Sequence, residues 1–131
     1  TVETAGTVDP EFTCDLLSLS PKTANSDPPG AKRASHRRLR GDLGPLRRLL
    51  ARFPEHQLKF VVESGDDMPE VLDLLEEVGP VNPSRVLLMA QGRSAAEVAE
   101  RAPAVAALCL AHGFRYTPRL QLDLFGGGRG V

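Results

Sequence analysis

Charged side chains interrupt two apolar segments of this sequence. Glu3 lies in the opening segment Thr1–Gly6, and Lys59 lies between Leu58 and Phe60. A charge buried alone in an apolar strand costs several kcal/mol, so each of these residues needs a partner or a polar cavity. Two interpretations stay open at this point. Either Glu3 and Lys59 form a structural ion pair across a sheet, or both face a ligand.

Three further polar residues come where apolar segments end. Ser20 and Lys22 close the run 15–20, and Gln91 follows the run 85–90. Ligands of parallel α/β sheets bind at the C-terminal ends of the strands, which makes all three candidates for a ligand contact, although a solvated surface position is favoured for Lys22. The alternatives are a solvated surface position for Lys22 and a turn position for Gln91 beside Gly92. Spacing does not decide between them.

The elements that must position these residues alternate along the chain. We predict strands over 1–6, 15–20, 58–63, 85–90 and 115–125. Helices are predicted over 45–53, from Asp66 or Asp67 as the cap to residue 78, and over 94–112. Such alternation indicates an α/β fold with mainly parallel strands and right-handed crossover helices. About five strands are fewer than a closed eight-stranded barrel has, and they suit part of an incomplete barrel or a small open sheet.

Four local patterns add detail to this outline. Segment 21–43 combines prolines and glycines with the basic run Lys32–Arg40, which predicts a basic, flexible loop. Segment 126–131 is rich in glycine, which predicts a flexible C-terminal tail. Ser94 and Glu97 form a capping box at the start of the last long helix. Pro103 should kink or split that helix.

Composition excludes several classes of protein. The chain has 131 residues, 41% hydrophobic and 25% charged, which fits one globular domain. The net charge of -1 and the lack of aromatics in the basic run argue against direct nucleic-acid binding. Cys14 and Cys109 lie too far apart for a metal motif, so we expect small core residues. Without a signal peptide or an apolar run of ~18 residues, we expect a cytoplasmic protein with no membrane contact.

Four short motifs, in this order, resemble the 7-carboxy-7-deazaguanine synthases. They are Val2–Thr7, Leu17–Lys22, Leu58–Val61 and Arg119–Gly126, the last with the closing Arg129–Val131. The resemblance implies the incomplete β/α barrel of radical S-adenosylmethionine enzymes. It also implies a lyase that converts 6-carboxy-5,6,7,8-tetrahydropterin to 7-carboxy-7-deazaguanine and ammonia, on the way to queuosine and other 7-deazapurines. In that family a [4Fe-4S] cluster cleaves S-adenosylmethionine to a radical that abstracts a substrate hydrogen, and Mg2+ assists the ring contraction.

The resemblance also assigns roles to residues. Glu3 is similar to the glutamate that meets the pterin ring, and the carboxylate of Val131 is expected to reach the substrate. Gln121 stands where the family usually has a substrate-contacting His, and Phe125 stands in place of a Trp. An amide at Gln121 keeps a hydrogen bond but not proton transfer. The residues expected on the S-adenosylmethionine side are Ser20, Lys22, Lys59 and Gln91.

One part of the family pattern has no counterpart in this sequence. The family binds its cluster through a Cys-x3-Cys-x2-Cys loop near the N-terminus, and it has a glycine-rich segment for the cofactor; this chain contains neither. We therefore expect the C-terminal half of such an enzyme, inactive alone, with the N-terminal half as its partner and possible homodimerisation. The first strand should then lie at an exposed edge of the sheet. The alternative is a non-catalytic half-barrel that serves as a binding or interaction module.

Overall fold

The computed structural model describes residues 1–30 and 32–127, without the side chains of residues 36 and 39. The strands are β1 Val2–Thr4, β2 Leu17–Leu19, β3 His56–Val62, β4 Val86–Ala90 and β5 Arg115–Tyr116. The helices are α1 Lys32–Gly41, α2 Gly44–Arg52, α3 Met68–Val78, α4 Ala95–His112 and α5 Leu120–Phe125. Short 3-10 turns cover Ala24–Ser26, Gly65–Asp67 and Pro83–Arg85.

The five strands form one parallel sheet in the order β1-β2-β3-β4-β5. The prediction of an α/β fold with parallel strands and crossover helices is confirmed. Because the strands follow each other in chain order and crossovers are right-handed, α2, α3 and α4 all cover the same face of the sheet. Among the described residues, β1 and β5 each have only one neighbour, so β1 lies at an edge as expected.

The covered face of the sheet holds the hydrophobic core. Leu58, Phe60 and Val62 alternate along β3 and are fully buried. The helices contribute further buried residues, such as Leu49 of α2 and Val105 of α4. Burying each such side chain stabilises the fold by about 2 kcal/mol, which holds the strand ends in place.

The opposite face of the sheet is partly open and polar. The register sets Glu3 beside Ser18 and Ser18 beside Gln57, and Lys59 follows on the same face of β3. Lys59 and Val61 are only half-buried. The helices shield one face, and the other presents its polar side chains.

Helix α4 begins and ends as its sequence predicts. The Ser94 hydroxyl accepts a hydrogen bond from the Glu97 N–H at 3.2 Å, and the Glu97 carboxylate accepts one from the Arg93 N–H at 2.7 Å. Gly113 ends the helix in the left-handed region, with φ of 71°. The expected split at Pro103 does not occur, because α4 continues through the proline as one helix.

Segment 21–43 differs from the predicted basic loop. It contains the 3-10 turn Ala24–Ser26 and the ten-residue helix α1. The prolines and glycines that suggested a loop precede α1 or end it, and Lys32–Arg40 lies within the helix. Residue spacing did not predict this helix, because α1 is held against the rest of the fold by an ion pair, described below, between residues that are distant in the sequence.

The predicted strand over 115–125 is also wrong in its second half. β5 covers only Arg115–Tyr116, and α5 occupies Leu120–Phe125. Alternating leucines at 120, 122 and 124 suggested a strand, but only Leu122 is buried. The tail predicted over 126–131 lies mostly outside the described residues. In the described part of the chain, no helix combines the length and apolar character needed to cross a membrane.

Candidate functional site at the C-terminal ends of the strands

A hydrogen-bonded network crosses the open face from β1 to β3. The Lys59 ammonium forms a short ion pair with Glu3 Oε1, and the Ser20 hydroxyl donates to the same oxygen at 3.3 Å. The ammonium of Lys59, by hydrogen bond and by charge, lowers the pKa of Glu3, helped by Ser20 and Lys22 and opposed by partial burial. Glu3 is therefore a carboxylate at neutral pH.

The predicted ion pair between Glu3 and Lys59 is thus formed. Its two partners differ in exposure, because the Lys59 side chain is 18% exposed and that of Glu3 is 59% exposed. Both bonds to Glu3 fall on Oε1, so Oε2 can still accept hydrogen bonds. The pair therefore combines a sheltered cation with a solvent-facing acceptor.

Four of the predicted residues line one cavity of about 220 Å3, which we call the strand-end cavity. They are Ser20 and Lys22 after β2, Lys59 in the middle of β3, and Gln91 directly after β4. Its other lining residues are Pro21, Thr23, Asn25, Ser26, Val61 and Arg119. The cavity thus brings Ser20, Lys22 and Gln91, which follow strands, together with Lys59 from within β3, and their contact with a ligand stays a prediction. Glu3 does not line the strand-end cavity, but it hydrogen-bonds to Ser20 and Lys59, which do.

The 3-10 turn Ala24–Ser26 forms one wall of the strand-end cavity. Asn25 donates its amide to the Val61 carbonyl at 3.0 Å and to the Asp67 carboxylate at 3.1 Å. Asp67 also accepts from the Glu63 N–H at 2.7 Å. Asp67 occupies the N-cap position of α3, as predicted, but its side chain makes no capping hydrogen bond there, and the Ser64 hydroxyl accepts from the Asp66 N–H.

An ion-pair cluster, here called the brace, holds α1 and this turn against α3. Arg40 of α1 donates to both carboxylate oxygens of Asp27, at 2.8 and 2.9 Å, and to Glu70 at 3.1 Å. Glu70 also accepts from the Ala24 N–H at 3.0 Å. Asp27, whose side chain is 5% exposed, raises the pKa of Arg40. The brace fixes the wall that Asn25 lines.

Gln121 lies in a neighbouring, more open cavity of about 400 Å3, the tail cavity. This cavity shares Gln91 and Arg119 with the strand-end cavity. Gln121 is exposed and is not brought into the strand-end cavity with the other candidates. Val131, predicted to reach the substrate, lies outside the described residues.

Two arginines that sequence reasoning did not select hold the turn after β4. Arg101 of α4 donates to the Gln91 carbonyl at 2.8 Å and, in a shorter contact, to the Gln91 side-chain oxygen. Arg119 donates to the Gly92 carbonyl at 2.7 Å. Arg119 belongs to the C-terminal motif, but only the return of the chain after β5 sets it beside this turn.

Gly92 allows that turn to lie against α4. A Cβ atom there would stand 2.8 Å from a Val98 methyl carbon and 3.1 Å from the Val98 backbone nitrogen. The backbone atom has little room to move, so a side chain at this position is excluded. The position of Gln91 therefore depends on the glycine that follows it.

The described residues do not fit an iron–sulfur cluster or a magnesium site. They include no group of three or more His, Cys, Asp or Glu side chains that could hold a metal ion. Cys109 is buried in the core, where burial raises the pKa of its thiol, and Cys14 packs at the margin of the core. Cys109 is therefore a small core residue, as predicted, whereas Cys14 is only partly buried. Hydroxyl, amide and cationic groups in the strand-end cavity do suit the oxygen atoms of a nucleoside or a carboxylate.

Three curated proteins named 7-carboxy-7-deazaguanine synthase match the chain. The protein from Rhodopirellula baltica is 37% identical over 137 residues, which cover 100% of this chain and 52% of the relative. The protein from Halobacterium salinarum is 40% identical over 95% of this chain and 53% of the relative. The protein from Pyrobaculum aerophilum is 30% identical over 98% of this chain and 53% of the relative. The chain thus spans about half the length of the relatives it matches. No protein-family model matches it, and no solved structure matches it significantly. The resemblance to these synthases is confirmed along the whole chain.

Proposed function

We propose that this chain, similar along its length to 7-carboxy-7-deazaguanine synthases, is the C-terminal half of such an enzyme. In the complete enzyme it would bind S-adenosylmethionine and the pterin substrate. The reaction is the conversion of 6-carboxy-5,6,7,8-tetrahydropterin to 7-carboxy-7-deazaguanine with loss of ammonia. The observation that carries this proposal is the meeting of Ser20, Lys22, Lys59 and Gln91 in one cavity.

The topology supports the same proposal. Helices α2, α3 and α4 cover one face, and the other face carries Glu3, Gln57 and Lys59, with Ser18 buried beside Glu3 and Gln57. In a β/α barrel the helices form the outer ring and the other face of the sheet points inward. A sheet of this kind with two edges is suited to extension by further strands, here those of an N-terminal half.

The residues of this chain would bind and orient the ligands. Glu3 Oε2 would accept hydrogen bonds from the guanidine-like edge of the pterin, which offers paired N–H donors. Lys59 keeps Glu3 ionised and near β3, and Ser20 supports the same oxygen. Ser20, Lys22 and Gln91 would contact S-adenosylmethionine, which supplies the radical that starts the reaction when it is bound in the complete enzyme.

The cluster and Mg2+ have to be held by other residues. The described residues contain no suitable metal-binding group, and Cys14 and Cys109 are core residues. The 131-residue chain alone is therefore expected to cleave no S-adenosylmethionine.

The test uses the complete protein, with the sequence upstream of Thr1 expressed together with this chain or in trans. Anaerobic incubation with the pterin substrate and S-adenosylmethionine is expected to give 7-carboxy-7-deazaguanine, detected by mass spectrometry. Lys59→Ala should reduce the rate at least about tenfold, since it removes the cation beside Glu3. Arg38→Ala, on the exposed surface of α1, is the matched control and should leave the rate unchanged.

Two results would contradict the proposal. One is a folded complete protein, with its cluster in place, that forms no product. The other is S-adenosylmethionine cleavage by the 131-residue chain alone after treatment with iron and sulfide. A protein that binds the pterin but cleaves no cofactor would favour the non-catalytic module instead.

A further inference from the structure

The strand-end and tail cavities share Gln91 and Arg119 and are lined by further cationic side chains. Lys22, Lys59 and Arg119 line the strand-end cavity, and Arg93 and Arg119 line the tail cavity. None of the described residues that line either cavity is an aspartate or glutamate. Lys59 is paired with Glu3, but Lys22, Arg93 and Arg119 form no ion pair with the described residues, and such cations favour an anionic group of a ligand.

Arg101 decides which group Gln91 offers to the cavity. The Gln91 side-chain oxygen accepts a hydrogen bond from Arg101, which also holds the Gln91 carbonyl. The amide oxygen has a second lone pair, but the bond to Arg101 orients the amide, with its oxygen toward the guanidinium and its NH2 group available to other partners. Gln91, which on its own could accept or donate, is thereby set as a donor.

Arg119 adds a charged donor beside that amide. One of its N–H groups is bound to the Gly92 carbonyl, and its Nε is buried with no partner among the described residues. A buried donor left without a partner costs about 1–3 kcal/mol, so the protein groups described around Arg119 do not satisfy its hydrogen-bonding capacity. A guanidinium with unused N–H donors suits a carboxylate, because it can donate to both carboxylate oxygens.

We propose that Arg119 and the Gln91 amide bind a carboxylate of a ligand where the two cavities meet, and that Arg101 is the positioning residue that sets Gln91 as a donor. The inference rests on the proposed function for the identity of the ligand. S-adenosylmethionine and the pterin substrate each carry one carboxylate, and the experiment distinguishes which of the two binds here.

The test compares probes that differ only in the carboxylate. One pair is S-adenosylmethionine and decarboxylated S-adenosylmethionine, and the other is 6-carboxypterin and pterin. Affinities for the 131-residue chain are measured by isothermal titration calorimetry, with circular dichroism to confirm that each variant is folded. We expect at least one pair to show a preference of about tenfold for the carboxylate.

Arg119→Gln should reduce that preference to about twofold, because it removes the charge and the paired donors. Arg101→Ala should also reduce it, because the Gln91 amide can then turn its oxygen to the cavity, and Arg101→Lys should restore part of it. Arg115→Gln removes an equal charge from an exposed position on β5 and should change nothing.

The inference is overturned if neither carboxylate probe binds the folded chain at millimolar concentration. It is also overturned if folded Arg119→Gln keeps the full preference. A carboxylate preference lost in Arg119→Gln supports the inference even where the complete protein makes no 7-carboxy-7-deazaguanine, so the two proposals fail separately.

Discussion

Two basic regions of this molecule have similar residues but different surroundings. In the brace, Arg40 meets Asp27 and Glu70, and Asp27 lies almost fully inside the fold. In the strand-end cavity, Lys22, Lys59 and Arg119 line an open space with no carboxylate in the described lining. Where cations are neutralised by the protein they stabilise its structure, and where they are not they are available to a ligand. Lys59 lies between these cases, since it lines the cavity and also pairs with Glu3.

The largest stability effect is expected in the brace. Arg40→Ala removes a bidentate ion pair and a bond to Glu70, and should lower the free energy of unfolding by about 2 kcal/mol. Arg38→Ala, exposed on the same helix, should change it by less than about 0.5 kcal/mol. Urea titrations followed by circular dichroism give both values. If both variants lowered the free energy of unfolding equally, Arg40 would stabilise the fold no more than an exposed arginine does, and the brace would not differ from the cavity in this respect.

A smaller and pH-dependent effect is expected at Glu3. Its pKa is lowered in the folded state, chiefly by Lys59, so its contribution to stability is present above the ordinary pKa of 4.5. That contribution is lost as the pH falls through the lowered value. Glu3→Gln should therefore be less stable than the wild type at pH 7, by less than Arg40→Ala because water screens the exposed carboxylate.

Unfolding measured at several pH values from 7 to 3 checks this prediction. The difference between Glu3→Gln and the wild type should shrink as the pH falls below 4.5. A difference that stays constant over this range would mean that the ionised carboxylate does not stabilise the fold.

The smallest stability effect is expected in the cavity. Lys22 is exposed, so Lys22→Ala should change the free energy of unfolding by less than about 0.5 kcal/mol. The same substitution should weaken binding of S-adenosylmethionine about three- to tenfold, because it removes a cation from the lining. A variant with lost stability and unchanged binding would place Lys22 with the structural cations of the brace.

The sequence predicted the succession of strands and helices along the chain better than it predicted where the individual elements end. Strand–helix alternation gave five parallel strands, and the capping box and Gly113 gave the limits of α4. The helix α1 was missed because its stability comes from Arg40, whose partners lie 13 and 30 residues away. The strand predicted over 115–125 failed because alternating leucines also fit a short helix with one buried residue, Leu122.

Candidate residues divide in a similar way. Ser20, Lys22 and Gln91 were selected because parallel strands bring their C-terminal ends to one side, and Lys59 because a charge interrupts an apolar strand. Arg101 and Arg119 were missed because their partners are backbone carbonyls of a turn that lies 10 and 27 residues away. No spacing rule connects such positions.

The sequence by itself determined the class of fold, the resemblance to the synthases and the residue types at the strand ends. These follow from local periodicity and from the order of short motifs along the chain. Tertiary structure alone decided which charges neutralise each other, which face of the sheet stays open and that Arg101 holds Gln91. The physical reason is that pairing and burial depend on distances in space, which residues far apart in the sequence acquire only when the chain folds.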